Sequence, residues 1–321
     1  MTWLVTGGAG YIGAHVVRAM VADGQQVVAL DDLSTGDRDR VDPGAAFAEG
    51  SVLDAGTLAK VLAGHGVTGV VHIAAKKQVG ESVADPLLYY RENLTGLVTL
   101  LEACRDAGVD RFVFSSSAST YGLPDVELVD EDTPGRPISP YGESKLVGEW
   151  LLRDCAVAYG LRAMVMRYFN VAGAAAPELG DPGVFNLVPL VFRSLSRDER
   201  PQVFGADYDT PDGTCIRDYV HVADIADAHL AAARALDAGA DGATYNIGRG
   251  TGSSVLEVLE VIARVTGLDT TPVVVDRRPG DPARVVAAVD RIRGGLGFTA
   301  TRGLDEMVRS AWAGWQLRPG V

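Results

Sequence analysis

The amino-acid sequence predicts an α/β fold, a parallel, doubly wound sheet with a smaller α/β lobe appended to it. Three observations carry the prediction. Short apolar runs alternate with segments of helical periodicity through the first half of the chain. A glycine-rich turn joins the first run to the first helix, and an acidic residue closes the second run. Taken in order, Thr2 to Thr6 reads as a buried strand, Gly7-Gly8-Ala9-Gly10-Tyr11-Ile12-Gly13 as the turn, and about Tyr11 to Asp23 as a helix. Gln26 to Leu30 is the second strand, ending at Asp31. Gly69 to Ile73, Arg111 to Ser115 and Arg162 to Arg167 are three more. Beyond Gly173 the pattern loosens into Ala, Pro, Gly and Asp, from Ala174 to Gly183, before mixed elements resume. The first domain is therefore placed at residues 1–173 and the second at 174–321. The strand-turn-helix signal of 217–232, with Asp224 as its cap, can return to the first.

Composition narrows the function. The chain has 321 residues, 47% hydrophobic and 22% charged, enough to bury a large core. Its net charge of -13 argues against nucleic acid or an anionic membrane surface as the main partner, so an anionic ligand needs local cations. Cys104, Cys155 and Cys215 show no paired spacing, which implies neither a disulfide framework nor a metal site and suits a reducing compartment. Met1 leads straight into the first strand and no apolar stretch reaches spanning length. The expectation is a soluble, cytoplasmic protein.

Glycines at the first turn let a backbone approach a pyrophosphate, and the helix that follows aims its free N–H groups and positive dipole end at the anion. Asp31 then stands where a carboxylate accepts from a ribose 2′-hydroxyl, and it would repel a 2′-phosphate. The expected cofactor is NAD, held by Gly7, Gly10, Tyr11, Ile12, Gly13 and Asp31. Near the carboxyl ends of the third and fourth expected strands lie Ala74-Ala75-Lys76-Lys77 and Ser115-Ser116-Ser117, at the edge where open α/β sheets place ligands. Tyr141 and Lys145 sit one helical turn apart, so the ammonium can favour a phenolate. Tyrosine has a reference pKa of about 10, and lowering it by roughly 3 units asks the site for about 4 kcal/mol. Ser117, Tyr141 and Lys145 are the expected catalytic residues, with Ser117 hydrogen-bonding a substrate hydroxyl and Lys145 binding the nicotinamide ribose.

These residues resemble the extended short-chain dehydrogenase/reductase family, whose first domain is a Rossmann fold, and within it the nucleotide-sugar epimerases, nearly end to end. The resemblance rests on Thr6 to Gly13, Lys77 to Val83, Ser115 to Gly122, Ser139 to Lys145, Arg167-Tyr168-Phe169-Asn170, Phe204-Gly205, Asp212-Gly213-Thr214, Arg217 to Val222 and Arg278-Pro279-Gly280-Asp281. It implies NAD-dependent 4-epimerisation of UDP-hexoses through a transient 4-keto sugar, Tyr141 acting as base with Lys145 lowering its pKa. It also implies that Lys77 contacts the cofactor near its phosphates and that Tyr168 packs by the nicotinamide. Asn170 and Asn186 would hold the pyrophosphate or sugar, and Arg217, Arg278 and Asp281 would grip the uridine diphosphate. A homodimer is implied, paired through helices from about Leu87 to Ala107 and Tyr141 to Tyr159.

Two positions depart from the family pattern. Gly50-Ser51 stands where an Asp near the adenine is common, and Val285 stands where a bulky tyrosine can restrict the sugar pocket. A smaller wall leaves volume for an N-acetyl group, whereas a one-residue slip would place Arg284 there. Another UDP sugar, a pentose or a uronate, is the alternative substrate. A nucleotide-sugar dehydratase or decarboxylase is less well supported, because Ala118 and Ser119 occupy the places where elimination needs an acid and a base. His72 and His221 read as satisfied core residues.

Overall fold

Trp3, Leu4 and Val5 have no exposed surface, as a central strand covered on both faces requires. The computed structural model that shows this describes residues 1–278 and 280–318. Pro279, within one of the motifs above, and residues 319–321 of the expected second domain lie outside the described residues. The first half of the chain runs β1 (Thr2–Thr6), α1 (Tyr11–Ala22), β2 (Gln26–Asp31), β3 (Ala46–Glu49), α2 (Ala55–Gly64), β4 (Gly69–His72), α3 (Val79–Ala84), α4 (Pro86–Tyr89), a π-helical stretch Tyr90–Thr95, α5 (Gly96–Ala107), β5 (Arg111–Ser117), α6 (Pro140–Tyr159) and β6 (Arg162–Tyr168). The rest runs β7 (Asn170–Ala172), α7 (Leu187–Ser196), β8 (Gln202–Phe204), β9 (Ile216–His221), α8 (Val222–Asp237), β10 (Ala243–Ile247), β11 (Gly252–Ser254), α9 (Val255–Thr266), β12 (Val273–Val275), β13 (Arg284–Val285), α10 (Asp290–Leu296) and α11 (Leu304–Gln316).

Seven strands form one parallel sheet in the order β10-β6-β5-β4-β1-β2-β3. The winding direction reverses between β1 and β4, which opens a crevice at their carboxyl ends. Alternation along each strand feeds two apolar layers. Trp3, Val5, Val71 and Val113 pack with Val16, Met20, Ile225 and Ala232 of α1 and α8 on one face. Leu4, Val70, Phe112 and Phe114 pack with Leu58, Leu97, Leu100 and Leu152 of α2, α5 and α6 on the other. The smaller lobe gathers β7, β11 and β13 around β9, with the β8–β12 pair beside them. Its core draws Phe192, Tyr219, Ile262, Met307 and Trp315 together. Among the described residues, no helix is long and apolar enough to cross a membrane.

Two local expectations are corrected, and one strand is added. The segment that returns to the large sheet is α8 with β10, reaching Ile247, whereas Arg217 stays in the small sheet on β9. Asp224 does not cap α8. His221 does, its Nδ1 accepting from the Ala223 N–H at 3.0 Å, while Asp224 lies inside the first turn and pairs with Arg302. A carboxylate there still favours the positive helix end. Finally, β3 is a strand that the sequence pattern does not announce, because as the sheet's edge it is only half-buried.

Candidate active site

The glycine turn is shaped by two separate demands. Gly7 has φ of +70°, and a Cβ there would come within 2.8 Å of the Ala74 nitrogen, so β1 and β4 approach backbone to backbone across the crevice. A Cβ on Gly13 would lie 1.9 Å from the Gly7 carbonyl oxygen, so only glycine lets α1 sit against the turn. Gly10 is different. Its φ of -79° suits any residue, and a Cβ would meet only the Gly7 oxygen at 3.3 Å. A methyl group there is tight but far from the clash that Gly13 would meet, and Gly10 gives α1 no side-chain cap, so no cap side chain takes up the first-turn N–H groups. A cradle of this kind fits a pyrophosphate.

Asp31, at the end of β2, is buried and accepts from the Ala9 and Leu33 N–H groups, each at 2.9 Å. Burial nevertheless raises its pKa above the usual carboxylate value. Tyr11 turns its hydroxyl onto the Gly173 carbonyl at 2.5 Å, pinning the start of the second lobe to α1. The Lys77 ammonium lies 5.7 Å from the centre of the Tyr11 ring, a cation beside the cradle.

Ser117 ends β5 and starts a 3₁₀ turn, its Oγ accepting from the Ser119 N–H at 3.1 Å. Tyr141 and Lys145 lie on the sheet-facing side of α6, which Ser139 caps by accepting from the Gly142 N–H. All three are buried. The Ser117 hydroxyl favours the Tyr141 phenolate, but burial outweighs it and the phenol's pKa is raised, opposite to the sequence expectation. The reason is geometric. The Lys145 ammonium donates to the Ser115 carbonyl oxygen at 2.8 Å, and Lys145 is not among the groups that favour the phenolate. Burial pulls the Lys145 pKa down to about 8, with Glu149 opposing that shift. Tyr168, at the end of β6, adds a further raised phenol whose burial dominates and whose neighbours include Tyr141 and the Ser115 hydroxyl.

The remaining candidates lie in the second lobe. Arg217 pairs with Asp281 at 2.9 Å, largely shielded from water. Val285 is its register partner across β9 and β13, and it packs beside Ala118, Tyr121 and Phe169. That contact puts the valine next to the turn that follows Ser117. Arg278 stacks 3.7 Å over the Phe204 ring. Asn186 begins α7 without capping it, and its amide donates instead to Asp181 at 3.3 Å. Asn170 is exposed at the start of β7.

Residues 3–248 match the model of the NAD dependent epimerase/dehydratase family. The chain belongs to that family. It is 47% identical to a UDP-glucose 4-epimerase of Azospirillum brasilense over 96% of this chain and 90% of that protein. Among solved structures it is similar to the UDP-glucose 4-epimerase of Brucella ovis in complex with NAD, with TM-score 0.94, 40% identity and 97% of each chain covered. It is also similar to the UDP-glucose 4-epimerase of Bifidobacterium longum in complex with NAD+ and UDP, with TM-score 0.90, 36% identity and 98% of each chain covered.

Sequence reading misses several residues that tie the candidate residues together. Asn93, buried in the π-helical stretch, accepts from the Lys76 N–H at 2.8 Å and donates to the Lys76 carbonyl and the Ser144 hydroxyl, each at 3.0 Å. It thereby ties the loop after β4 to α6. π-Helical turns gather at functional sites, but no residue pattern here announces one. Glu149, one turn beyond Lys145, is held by Arg167 through a 2.9 Å bond to Nε and a second bond to the same guanidinium. Its spacing from Lys145 was the available signal. Ser115 joins the parts: its carbonyl holds Lys145 while its hydroxyl lies 2.9 Å from His229 Nε2.

Proposed function

We propose that this chain inverts C4 of UDP-hexoses, interconverting UDP-glucose and UDP-galactose through a transient 4-keto sugar. The observation that carries the reading is the burial together of Ser117 at the end of β5 and of Tyr141 and Lys145 on the side of α6 that faces it, with Lys145 bonded to the Ser115 carbonyl and the Ser117 hydroxyl favouring the Tyr141 phenolate. Bound NAD supplies a hydride acceptor that returns the same hydride, so the reaction needs no outside oxidant. Ser117 orients the sugar 4′-hydroxyl and Tyr141 takes its proton as base. Turned from the Ser115 carbonyl, Lys145 holds the nicotinamide ribose and brings its charge to the phenolate, and Glu149 opposes the loss of that charge to burial. Tyr168 walls the nicotinamide. Gly7, Gly10, Tyr11, Ile12, Gly13 and Lys77 hold the pyrophosphate of the cofactor, and Asp31 its ribose.

Arg217, Arg278 and Asp281 grip the uridine diphosphate, with Asn170 and Asn186 at the pyrophosphate or sugar. Fixed guanidinium groups give this acidic protein the local cations that its net charge withholds. Residues 1–173 with α8 and β10 make the NAD domain, and the rest of the chain after Gly173 makes the nucleotide-sugar domain. Elimination is disfavoured because Ala118 and Ser119 follow Ser117, with no carboxylic acid to protonate a leaving hydroxyl. The protein works as a homodimer, supported by the exposed Val98, Trp150, Val157 and Tyr159 on α5 and α6. Three free thiols suit the reducing cytoplasm.

Val285 sets the substrate range. Its half-buried side chain stands by Ala118 and replaces a tyrosine-sized wall, so a C2 N-acetyl group has room to turn with the sugar. Incubation with UDP-galactose, UDP-N-acetylgalactosamine and UDP-xylose, with products identified by NMR, tests both points. UDP-glucose and UDP-N-acetylglucosamine are expected, and Val285→Tyr should suppress the second while sparing the first. No turnover of UDP-galactose refutes the activity, and equal slowing of both hexoses by Val285→Tyr removes Val285 as the gate.

A further inference from the structure

A buried ion pair ties the helix of the reaction centre to the sheet, and no step of the reaction passes through it. Glu149 follows Tyr141 and Lys145 at the same four-residue spacing on α6, so all three stand on the side that faces the sheet. Both oxygens of its carboxylate are engaged. The Ser116 hydroxyl donates to Oε1 at 2.5 Å, Arg167 Nε donates to the same oxygen at 2.9 Å, and a second guanidinium nitrogen donates to Oε2 at 2.5 Å. Ser116 and Arg167 are register partners across β5 and β6, so their side chains leave the sheet on one face and meet the carboxylate between them. The third guanidinium nitrogen donates to the Tyr121 hydroxyl at 2.9 Å and the Glu131 carbonyl at 3.2 Å. The loop after Ser117 therefore hangs from the same group.

Taking two charges out of water is costly, so a buried pair is explained by what it fixes in place. Consecutive residues of β5 answer to α6 here. The Ser115 carbonyl accepts from Lys145 at 2.8 Å, the Ser116 hydroxyl holds Glu149, and the Ser117 hydroxyl favours the Tyr141 phenolate. The closest approaches between helix and strand are made by glycines. A Cβ on Gly142 would come within 2.6 Å of the Ser119 carbonyl oxygen, and one on Gly148 within 2.8 Å of the Phe114 ring. Such contacts bring α6 close but offer no side chain to lock its place along the strand. We propose that Glu149 is a further positioning residue of the reaction centre, its bonds to Ser116 and Arg167 fixing where α6 stands along β5, and hence where Tyr141 and Lys145 stand against Ser117. On the functional reading above, on which this inference rests, Tyr141 ionises beside Ser117, so a displaced α6 slows turnover and leaves the nucleotide sugar bound as before.

Two substitutions disturb the clamp and leave every charge in place. Ser116→Ala deletes the bond to β5, and Glu149→Asp withdraws the carboxylate by one methylene, so that it no longer reaches both strands. In the NAD-loaded enzyme each should lower kcat for UDP-galactose about tenfold, with KM altered by less than about two-fold and bound NAD unchanged. Without substrate, ionisation of Tyr141 is followed by the ultraviolet absorbance of its phenolate, as the difference from the same protein carrying Tyr141→Phe. Its midpoint should rise by about one pH unit in both variants. Tyr89 of α4, whose ring lies 6.4 Å from that of Tyr141, and Tyr168 of β6 are present in every protein compared and cancel in the difference. The two substitutions together should do no more than Glu149→Asp alone, within about two-fold, because both act through one bond. Ser116→Ala keeps the ion pair whole, so it carries the test if Glu149→Asp fails to fold. Unchanged kcat and unchanged ionisation in Ser116→Ala overturn the proposal, as does a full additional loss in the double variant. A lowered melting temperature with kcat and ionisation intact overturns it too, assigning the clamp to the fold alone. Raised KM with unchanged kcat overturns it by giving Glu149 to substrate binding. A wild-type protein that does not turn over UDP-galactose refutes the functional reading, while a shifted Tyr141 ionisation in the variants still supports the clamp. Absence of a Tyr141 phenolate step in the wild type overturns both.

Discussion

Tyr141 is a base that is scarce in this structure, because burial holds its phenol in the protonated form. Its hydroxyl is buried, and Ser117 alone favours the phenolate. Replacing it by phenylalanine removes the ionisable oxygen and nothing that the fold uses, so turnover should fall by about 10²–10⁴-fold with bound NAD retained. A variant rate within about tenfold of wild type would remove Tyr141 from the reaction. Lys145→Met should also slow turnover, and its kcat should recover partly as pH rises, since the phenol must then ionise without the ammonium beside it. A loss independent of pH would instead assign Lys145 to ribose binding alone. At this scale the sequence shows Ser117, Tyr141 and Lys145 because their order behind a glycine turn is distinctive. It does not show Asn93 or Glu149, which are common residue types whose importance comes from burial and from partners far along the chain. Glu149 with Arg167 and Asn93 with Lys76 are matched only once the sheet is assembled.

Elements whose neighbours are all apolar are the ones a sequence displays. β1, β2, β4, β5 and β6 lie side by side in the sheet interior, and each reads as an apolar run. β3 and β10 form the sheet's two edges and do not. In β10 the fully buried Asn246 takes its N–H partner from Glu131 at 2.7 Å and gives its amide to the Val129 carbonyl at 2.8 Å, so a polar residue occupies a core position. No local pattern predicts that satisfaction. The glycine turn joins both kinds of information, and its members separate by substitution. Gly13→Ala forces a Cβ onto the Gly7 carbonyl and should lower the melting temperature of the cofactor-free protein by several degrees, an effect of about 2 kcal/mol or more. Gly10→Ala meets the Gly7 oxygen at 3.3 Å, a tight contact but not a clash, and should lower that temperature by less than Gly13→Ala does while weakening NAD at least about tenfold, since the methyl group enters the cradle. Thermal melts with and without NAD decide the matter. Equal loss of stability in both variants would mean that Gly10 serves packing and not the cofactor.

The whole molecule is built around neutral histidines, and this sets its acid limit. His15, His221 and His229 have pKa values pulled down to about 4, and His72 to about 3, burial being the main cause in each. Their bonds require neutral rings: His15 Nε2 accepts from the Ala175 N–H at 3.0 Å, and His221 Nδ1 from the Ala223 N–H at 3.0 Å. The unfolded chain takes up these protons near pH 6.5 and the folded chain only near 4, so the stability they contribute is intact above about pH 6.5 and drains as pH falls toward 4. Asp218 opposes them, because burial raises its pKa to about 6 and it gains a proton on folding in that window. Denaturant unfolding should lose about 4 kcal/mol between pH 7 and 5.5, and a flat profile would contradict the neutral assignments. The same molecule leaves Trp150 at 48% and Val157 at 86% exposure, two turns apart on α6, with Val98 at 38% on neighbouring α5. Exposed apolar groups spaced along one helix face favour cover by a second copy, and a two-fold pairing of these helices covers the patch on both chains at once. Tyr141 and Lys145 begin the same α6, on its opposite, sheet-facing side, so the pairing face can be altered without entering the reaction centre. Trp150→Glu places two charges into that face per dimer and should give monomers at micromolar concentration, with a lower melting temperature and NAD still bound. Sedimentation velocity on wild type and variant measures it. Wild-type protein that sediments as a monomer would refute the dimer, and a Trp150→Glu variant that remains dimeric would place the contact elsewhere.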